Sequence, residues 1–160
     1  MARAIFELCS FAQNDMPMRP LLMIENLKNL HDARYCAAVG ISLVSFELDE
    51  GSGTALTPAA VHEITEWLSG LETIGRFGTG EALTIRERAQ AATVDWIQVA
   101  LAYDEEEAAF LGERIIFEVS LEAGVDDVAD QIYFLNEQFP DALFICDTGG
   151  LWDVLLPKLE

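Results

Sequence analysis

Residues 73–100, TIGRFGTGEALTIRERAQAATVDWIQVA, contain the repeating unit that decides the fold of this chain. The apolar run Thr73–Phe77 is short and precedes a glycine-rich loop, which favours a buried strand. An amphipathic run at about Glu81–Ala92 predicts a helix, and the apolar run Trp96–Ala100 predicts a second strand. Because the helix carries the chain back to the start of the next strand, the two strands are expected to be parallel.

The same order of strand and helix occurs six times along the 160 residues. The predicted strands are Leu21–Glu25, Leu43–Leu48, Thr73–Phe77, Trp96–Ala100, Ile115–Val119 and Leu143–Cys146. The predicted helices are Leu30–Val39, Pro58–Leu68, Glu81–Ala92, Asp104–Leu111, Val125–Phe139 and a short one at Leu151–Leu159. Right-handed crossovers would wind all units the same way, so the fold class is α/β. Such units form either an open sheet or most of a (β/α)8 barrel, which typically needs about 200 residues or more.

Residues 1–20 precede the repeat and do not follow its pattern. Ala2–Phe11 predicts an extra strand or a short helix, and the proline-containing stretch up to Pro20 predicts a loop. We therefore divide the chain into an N-terminal extension, 1–20, and a βα-repeat domain, 21–160.

The composition limits the classes of partner that we expect. With 28 acidic and 9 basic residues, the formal net charge is −19. The sequence has no basic cluster that could neutralise phosphates, so binding to nucleic acid or to an anionic membrane is not expected. No apolar run approaches the roughly 20 residues of a membrane span, and residues 1–11 lack a signal-peptide pattern. Three widely spaced cysteines predict neither a disulfide framework nor a zinc motif, which indicates a reducing cytoplasm.

Polar residues stand at or just after the C-terminal ends of the predicted strands. They are Glu25, Glu47 with Asp49, Arg76, Gln98, Glu118 and Asp147. Ligands of parallel α/β folds bind at these ends, so we expect Glu25, Arg76 and Asp147 to approach one another there. The row could form a pocket for a small cationic or polyhydroxylated ligand, or hold a metal with its carboxylates. It could equally be a buried network in which Arg76 pairs with two acids. We expect no resident metal or cofactor.

Four stretches match, in chain order, the strand motifs of one known family. The family motifs Lys-Ile-Cys-Gly-Leu, Val-Gly-Val-Phe, Asp-x-Val-Gln-Leu-His-Gly and Leu-Leu-Asp-Thr correspond to Met23–Leu27, Ile74–Phe77, Asp95–Leu101 and Phe144–Thr148. In this order the chain resembles phosphoribosylanthranilate isomerase, the (β/α)8 enzyme of tryptophan biosynthesis. The resemblance covers roughly Leu21–Leu159. It implies a TIM-barrel-like fold with about six βα units, which is an incomplete or shortened barrel.

The resemblance also implies roles for individual residues. The family's catalytic base is the cysteine of its first strand and its catalytic acid is the aspartate of its sixth; Glu25 and Asp147 stand at these positions. The glycine pair that follows the sixth strand, Gly149 and Gly150, resembles the start of the family's phosphate-binding stretch. Together with the strand-end residues Glu47, Arg76, Gln98 and Glu118, the glycines Gly149 and Gly150 make up the predicted substrate-binding residues. The family's last two βα units, which supply most of the phosphate contacts, have no counterpart in the stretch Leu21–Leu159 that the resemblance covers.

These departures lead to three hypotheses about function. The first is a catalytically impaired isomerase-like domain that binds a small polar or phosphorylated metabolite at the strand C-termini. The second is an active isomerase with Glu25 as base and Asp147 as acid. The third is a non-catalytic interaction module. Because the strand Leu143–Cys146 has no later strand to cover it, we expect either Ala2–Phe11 or a second copy of the chain, in a homodimer, to pair with it.

Overall fold

The computed structural model describes the residues that build the sheet and most of its helices. These are residues 2–5, 21–78, 80–100, 103, 105–112, 114–120, 130, 133–134, 136–137, 139 and 142–147. Gly149, Gly150, the predicted helix Leu151–Leu159 and most of the predicted helix Val125–Phe139 lie outside these residues.

Seven strands form one sheet in chain order. They are β1 (Ala2–Ile5), β2 (Leu21–Ile24), β3 (Leu43–Glu47), β4 (Glu72–Arg76), β5 (Trp96–Ala100), β6 (Ile115–Ser120) and β7 (Leu143–Asp147). Strands β2 to β7 pair in parallel, each with the next. All six strands predicted from the repeat are present with bounds within one residue. The fold is therefore TIM-barrel-like and forms an incomplete barrel, as predicted.

Helices follow the parallel strands, and the first two of them begin after residues with capping side chains. They are α1 (Leu30–Ala38), α2 (Pro58–Thr65), α3 (Ala82–Ala92) and α4 (Glu105–Leu111). The Asn29 side chain accepts a hydrogen bond from the Asp32 amide at 2.9 Å, and the Thr57 hydroxyl accepts one from the Ala60 amide at 3.2 Å. Both groups satisfy amides that have no partner within the helix. Gly40 has φ of +80°, which lets the chain turn sharply after α1.

Helix α2 ends three residues before the predicted Leu68. Beyond Thr65 the backbone tightens: the amides of Trp67 and Leu68 bond to carbonyls three residues earlier, at 3.1 and 3.0 Å. Gly70, with φ of +82°, then turns the chain into β4. Apolar residues continue past Thr65, but they lie in a turn and not in the helix.

Side chains of the parallel strands alternate between two apolar layers. The outer layer contains residues such as Phe46, Val99 and Phe117, which pack with buried helix residues. The inner layer is a separate cluster of seven buried residues: Met23, Leu43, Ile74, Trp96, Ile116, Leu143 and Ile145. Because side chains on one face recur every second residue, Glu47, Arg76, Gln98 and Glu118 belong to the same inner face, further along the strands.

Strand β1 pairs antiparallel with β2, with Ala2 opposite Ile24 and Ile5 opposite Leu21. Of the two expected partners of the last strand, the N-terminal segment is therefore wrong as far as Ala2–Ile5 is concerned, because β7 lies at the other end of the strand order; residues 6–11 of that segment lie outside the described residues. Segments that are close in sequence pair more readily than distant ones, and β2 is the next strand after β1. No helix in the described part of the chain is long and apolar enough to cross a membrane.

Candidate functional site

Four of the predicted site residues meet at the C-terminal end of the inner face. Glu47 ends β3, Arg76 ends β4, and Gln98 and Glu118 lie near the ends of β5 and β6. The strand register places Arg76 directly between Glu47 and Gln98 on the neighbouring strands. We call Glu47, Arg76, Gln98 and Glu118 the mouth cluster.

Arg76 bridges two carboxylates of the mouth cluster. Its Nη1 donates to Glu47 Oε2 at 3.0 Å, and its Nη2 donates to Glu118 Oε2 at 3.1 Å. Burial lowers the pKa of Arg76, but the charges and hydrogen bonds of Glu118 and Glu47 outweigh this and raise the pKa above its ordinary value. The side chain of Glu47 is only 7% exposed, whereas that of Arg76 is 38% exposed. Arg76 therefore stabilises a buried carboxylate and also reaches solvent at the mouth.

Gln98 is fully buried and joins the same network. Its Nε2 donates to Glu118 Oε2 at 3.3 Å, the same oxygen that Arg76 contacts. Two buried atoms of the cluster, Arg76 Nε and Gln98 Oε1, have no hydrogen-bond partner among the described residues. A buried polar atom without a partner costs about 1–3 kcal/mol, so this donor and this acceptor favour an additional polar group at the mouth.

The two predicted catalytic residues lie at the same end of the sheet. Glu25 directly follows β2 and is half-buried, and Asp147 is the last residue of β7. The segment after Glu25 is held to β3, because the Asn26 amide donates to Ser45 Oγ at 3.2 Å and the Leu27 amide to the Ser45 carbonyl at 2.9 Å. The side chain of Asp147 lies outside the described part, so its approach to Glu25 and Arg76 stays a prediction. The roles proposed for Gly149 and Gly150 stay predictions for the same reason.

The loops that frame the mouth are fixed by contacts that the sequence did not indicate. Asp49 Oδ1 accepts a hydrogen bond from the Gly51 amide at 2.9 Å, and a Cβ atom on Gly78 would collide with the Asp49 carboxylate. The Tyr103 hydroxyl accepts from the Gly80 amide at 3.0 Å and donates to the Gly80 carbonyl at 2.9 Å. Gly78 therefore permits close packing, and the Gly80 amide already has a partner. The sequence indicated only that the loop after Thr73–Phe77 is rich in glycine.

A second charged group lies at the opposite, N-terminal end of the inner face. Glu72 accepts hydrogen bonds from Trp96 Nε1 at 2.8 Å and from Arg114, whose guanidinium lies 4.3 Å from the centre of the Trp96 ring. Burial raises the pKa of Glu72, but the hydrogen bonds from Arg114 and Trp96 and the charge of Arg114 together lower it below its ordinary value. Polar groups at this end of a barrel stabilise the fold, and this group is a natural control for the mouth.

Metal binding gains no support from the described residues, in which no three His, Cys, Asp or Glu side chains are grouped as metal ligands. The Glu47 and Glu118 carboxylates of the mouth cluster instead accept hydrogen bonds from Arg76 and Gln98.

Solved structures of phosphoribosylanthranilate isomerases are similar to this chain in fold. Generated monomers of the dimeric isomerase from Thermotoga maritima align with a TM-score of 0.71 and 23% identity, covering 84% of this chain and 68% of that one. An isomerase in complex with reduced 1-(o-carboxyphenylamino)-1-deoxyribulose 5-phosphate aligns with a TM-score of 0.67 and 18% identity, covering 86% and 71%. The isomerase from Thermus thermophilus gives 0.57 and 16%, covering 78% and 86%. No protein-family model and no curated protein matches the chain.

Proposed function

We propose that this chain is a phosphoribosylanthranilate isomerase-like domain that binds a small polar metabolite at the C-terminal mouth of its sheet and has lost efficient isomerase turnover. The observation that carries the proposal is the mouth cluster, in which one buried donor and one buried acceptor have no partner among the described residues. Buried ion pairs stabilise a fold weakly compared with apolar packing, so charge at this position is better explained by ligand binding than by stability.

The position of the mouth cluster agrees with the fold. The inner face is apolar along the middle of the strands and charged at both ends, and the mouth cluster occupies the C-terminal end, where ligands of parallel α/β folds bind. The similar isomerase that holds a reduced deoxyribulose phosphate compound is one example of a small-molecule complex on this fold.

Loss of turnover is proposed from the residue at the position of the catalytic base. The resemblance implies a cysteine base where this chain has Glu25, and a general base or acid contributes about 10²- to 10⁴-fold to a rate. The Glu47 and Glu118 carboxylates outnumber the single Arg76 guanidinium, which opposes binding of an anionic substrate.

An active isomerase is the second candidate, favoured by the location of Glu25 and Asp147 at the same end of the sheet. Expression in a tryptophan auxotroph that lacks the isomerase separates the two. We expect no growth without tryptophan, with a known isomerase gene as the positive control. Growth that is abolished by Glu25→Gln would show that Glu25 acts as the base and would overturn the proposed loss of turnover.

Ligand binding at the mouth is tested by a thermal-shift screen with sugar phosphates, sugars, aromatic amines and divalent ions. We expect a stabilising compound whose effect is reduced in Glu118→Gln and retained in Glu72→Gln. The second variant changes a carboxylate at the other end of the sheet and is the matched control. Equal effects in both variants would place the site elsewhere.

We also propose a homodimer, as an interaction that either function allows. Among the described residues β7 pairs only with β6, and one of the similar isomerases is itself dimeric. Light scattering at micromolar concentration should give twice the 17.7 kDa mass of one chain. A mass of one chain at this concentration would contradict the dimer and would leave the ligand site unaffected.

A further inference from the structure

We infer that the mouth cluster selects an uncharged hydroxyl group, so that the ligand is polyhydroxylated and carries no phosphate or ammonium group where it enters the cluster. This inference rests on the proposed function, because it specifies the ligand of the same site.

The orientation of the Gln98 amide is determined by its neighbour. Gln98 Nε2 lies 3.3 Å from Glu118 Oε2. A carboxylate oxygen that already accepts from Arg76 can only accept, so the amide nitrogen and not the amide oxygen faces it. Gln98 Oε1 is thereby turned away from Glu118 and remains a buried acceptor without a partner among the described residues.

The unpaired donor and this unpaired acceptor belong to side chains on neighbouring strands. Arg76 and Gln98 are register partners on β4 and β5, and both donate to the same oxygen of Glu118. The two outer nitrogens of Arg76 are already used by Glu47 and Glu118, which leaves Nε as its buried donor without a described partner. The cluster therefore offers one N–H donor and one carbonyl acceptor to a single entering group.

A hydroxyl is the simple ligand group that matches this pair. It accepts from Arg76 Nε through a lone pair and donates its own proton to Gln98 Oε1. A phosphate oxygen without a proton would only accept, would leave Gln98 Oε1 unpaired, and would meet the carboxylates of Glu47 and Glu118. An ammonium would only donate and would leave Arg76 Nε unpaired, and the charge of Arg76 would oppose its attraction to the two carboxylates.

Three matched probes distinguish these chemistries on the full chain: ribitol, ribitol 5-phosphate and 1-amino-1-deoxyribitol, each titrated calorimetrically at pH 7. We expect ribitol to bind at least tenfold more tightly than either charged analogue. Gln98→Met removes the acceptor and Arg76→Lys removes the Nε donor while keeping the positive charge. Each should weaken ribitol binding about five- to tenfold, the effect of one lost hydrogen bond, whereas Glu72→Gln should leave it unchanged.

Each outcome bears on a different statement. Tighter binding of either charged analogue, reduced by the mouth variants, would overturn the hydroxyl inference and leave the proposed ligand site standing. Absence of binding by all three probes, or ribitol binding that the mouth variants do not change, would overturn the inference. If, in addition, the thermal-shift screen finds no stabilising compound, the proposed function is overturned too. Circular dichroism of each variant establishes that it is folded, and the comparison of the three probes on the unmodified chain does not depend on any variant.

Discussion

Arg76→Met is the substitution that tests most directly how the mouth is held together. Methionine keeps the apolar stem of the side chain but removes both charged hydrogen bonds, at 3.0 Å to Glu47 and 3.1 Å to Glu118, and leaves Glu47 buried without its cation. Hydrogen bonds to charged groups contribute about 1.5–3 kcal/mol each, and loss of one partner of a buried pair costs about 3–5 kcal/mol. Because Arg76 is 38% exposed, solvent screens part of its interaction with the two carboxylates, and we expect a loss of about 3 kcal/mol in the free energy of unfolding.

The assay is urea denaturation followed by circular dichroism, with the transition midpoint and slope compared between variants. A loss of about 3 kcal/mol corresponds to a decrease in Tm of about 6–12 °C for a domain of this size. The double variant Arg76→Met with Glu47→Gln removes the buried charge as well, and we expect it to recover at least 1 kcal/mol. A loss below about 1 kcal/mol, or a double variant no more stable than the single one, would refute the view that Arg76 stabilises the folded protein by pairing with the buried Glu47 carboxylate.

Three further predictions concern stability. Because the pKa of Glu72 is lowered on folding, its ion pair stabilises the protein above the ordinary glutamate pKa of 4.5 and loses this effect as pH falls through the folded value. Glu72→Gln should therefore be less stable than the parent at pH 7, and the difference should shrink in urea titrations below pH 4.5; a constant difference would contradict the assignment. A Cβ atom on Gly75 would lie 2.9 Å from Leu48 Cδ1 and 3.1 Å from Val94 Cγ2, so Gly75→Ala should lose about 1–3 kcal/mol by overpacking. Gly53→Ala is its control, since nothing lies within 4 Å of the added atom and the lower entropy of the unfolded chain should leave this variant at least as stable as the parent; a loss equal to that of Gly75→Ala would contradict overpacking. Ile74→Ala, in the fully buried inner layer, should lose about 2–5 kcal/mol, and a smaller loss would indicate an inner layer that collapses around the cavity.

The parallel strands were predictable because each is a short apolar run that ends at a polar residue or a loop. The bounds of β5 match the prediction, those of β4 are shifted by one residue at both ends, and those of the other parallel strands differ by one residue at their C-terminal end. The pairing of β1 was not predictable, because four residues without a marked pattern specify neither a partner nor a direction. The end of α2 was missed because an apolar pattern continues into the turn that follows Thr65.

The sequence located the mouth but not its hydrogen bonds. Strand alternation places Arg76, Gln98 and Glu118 on one face near one end, and this much follows from the order of residues. Which carboxylate Arg76 contacts, and which way the Gln98 amide turns, depend on side-chain conformations set by neighbouring strands. The same holds for the contact of Tyr103 with Gly80, 23 residues apart, for which no local pattern exists.

The position of Glu25 and the charge of the mouth cluster favour the same kind of ligand. The resemblance implies a thiol after the first parallel strand, and this chain places a carboxyl group there, half-buried at the end of the sheet where Glu47 and Glu118 lie. An added acidic group raises the free energy of any anion that enters, since like charges repel most strongly where solvent is excluded. A neutral hydroxyl does not meet this repulsion, and carboxylates are good acceptors for further hydroxyls of the same molecule. The exchange of a thiol for a carboxyl group at position 25 would thus disfavour a sugar phosphate and favour an uncharged polyol. If so, Glu25→Cys should narrow the expected tenfold preference for ribitol over ribitol 5-phosphate, whereas an unchanged ratio would show that Glu25 lies too far from the bound ligand to influence it.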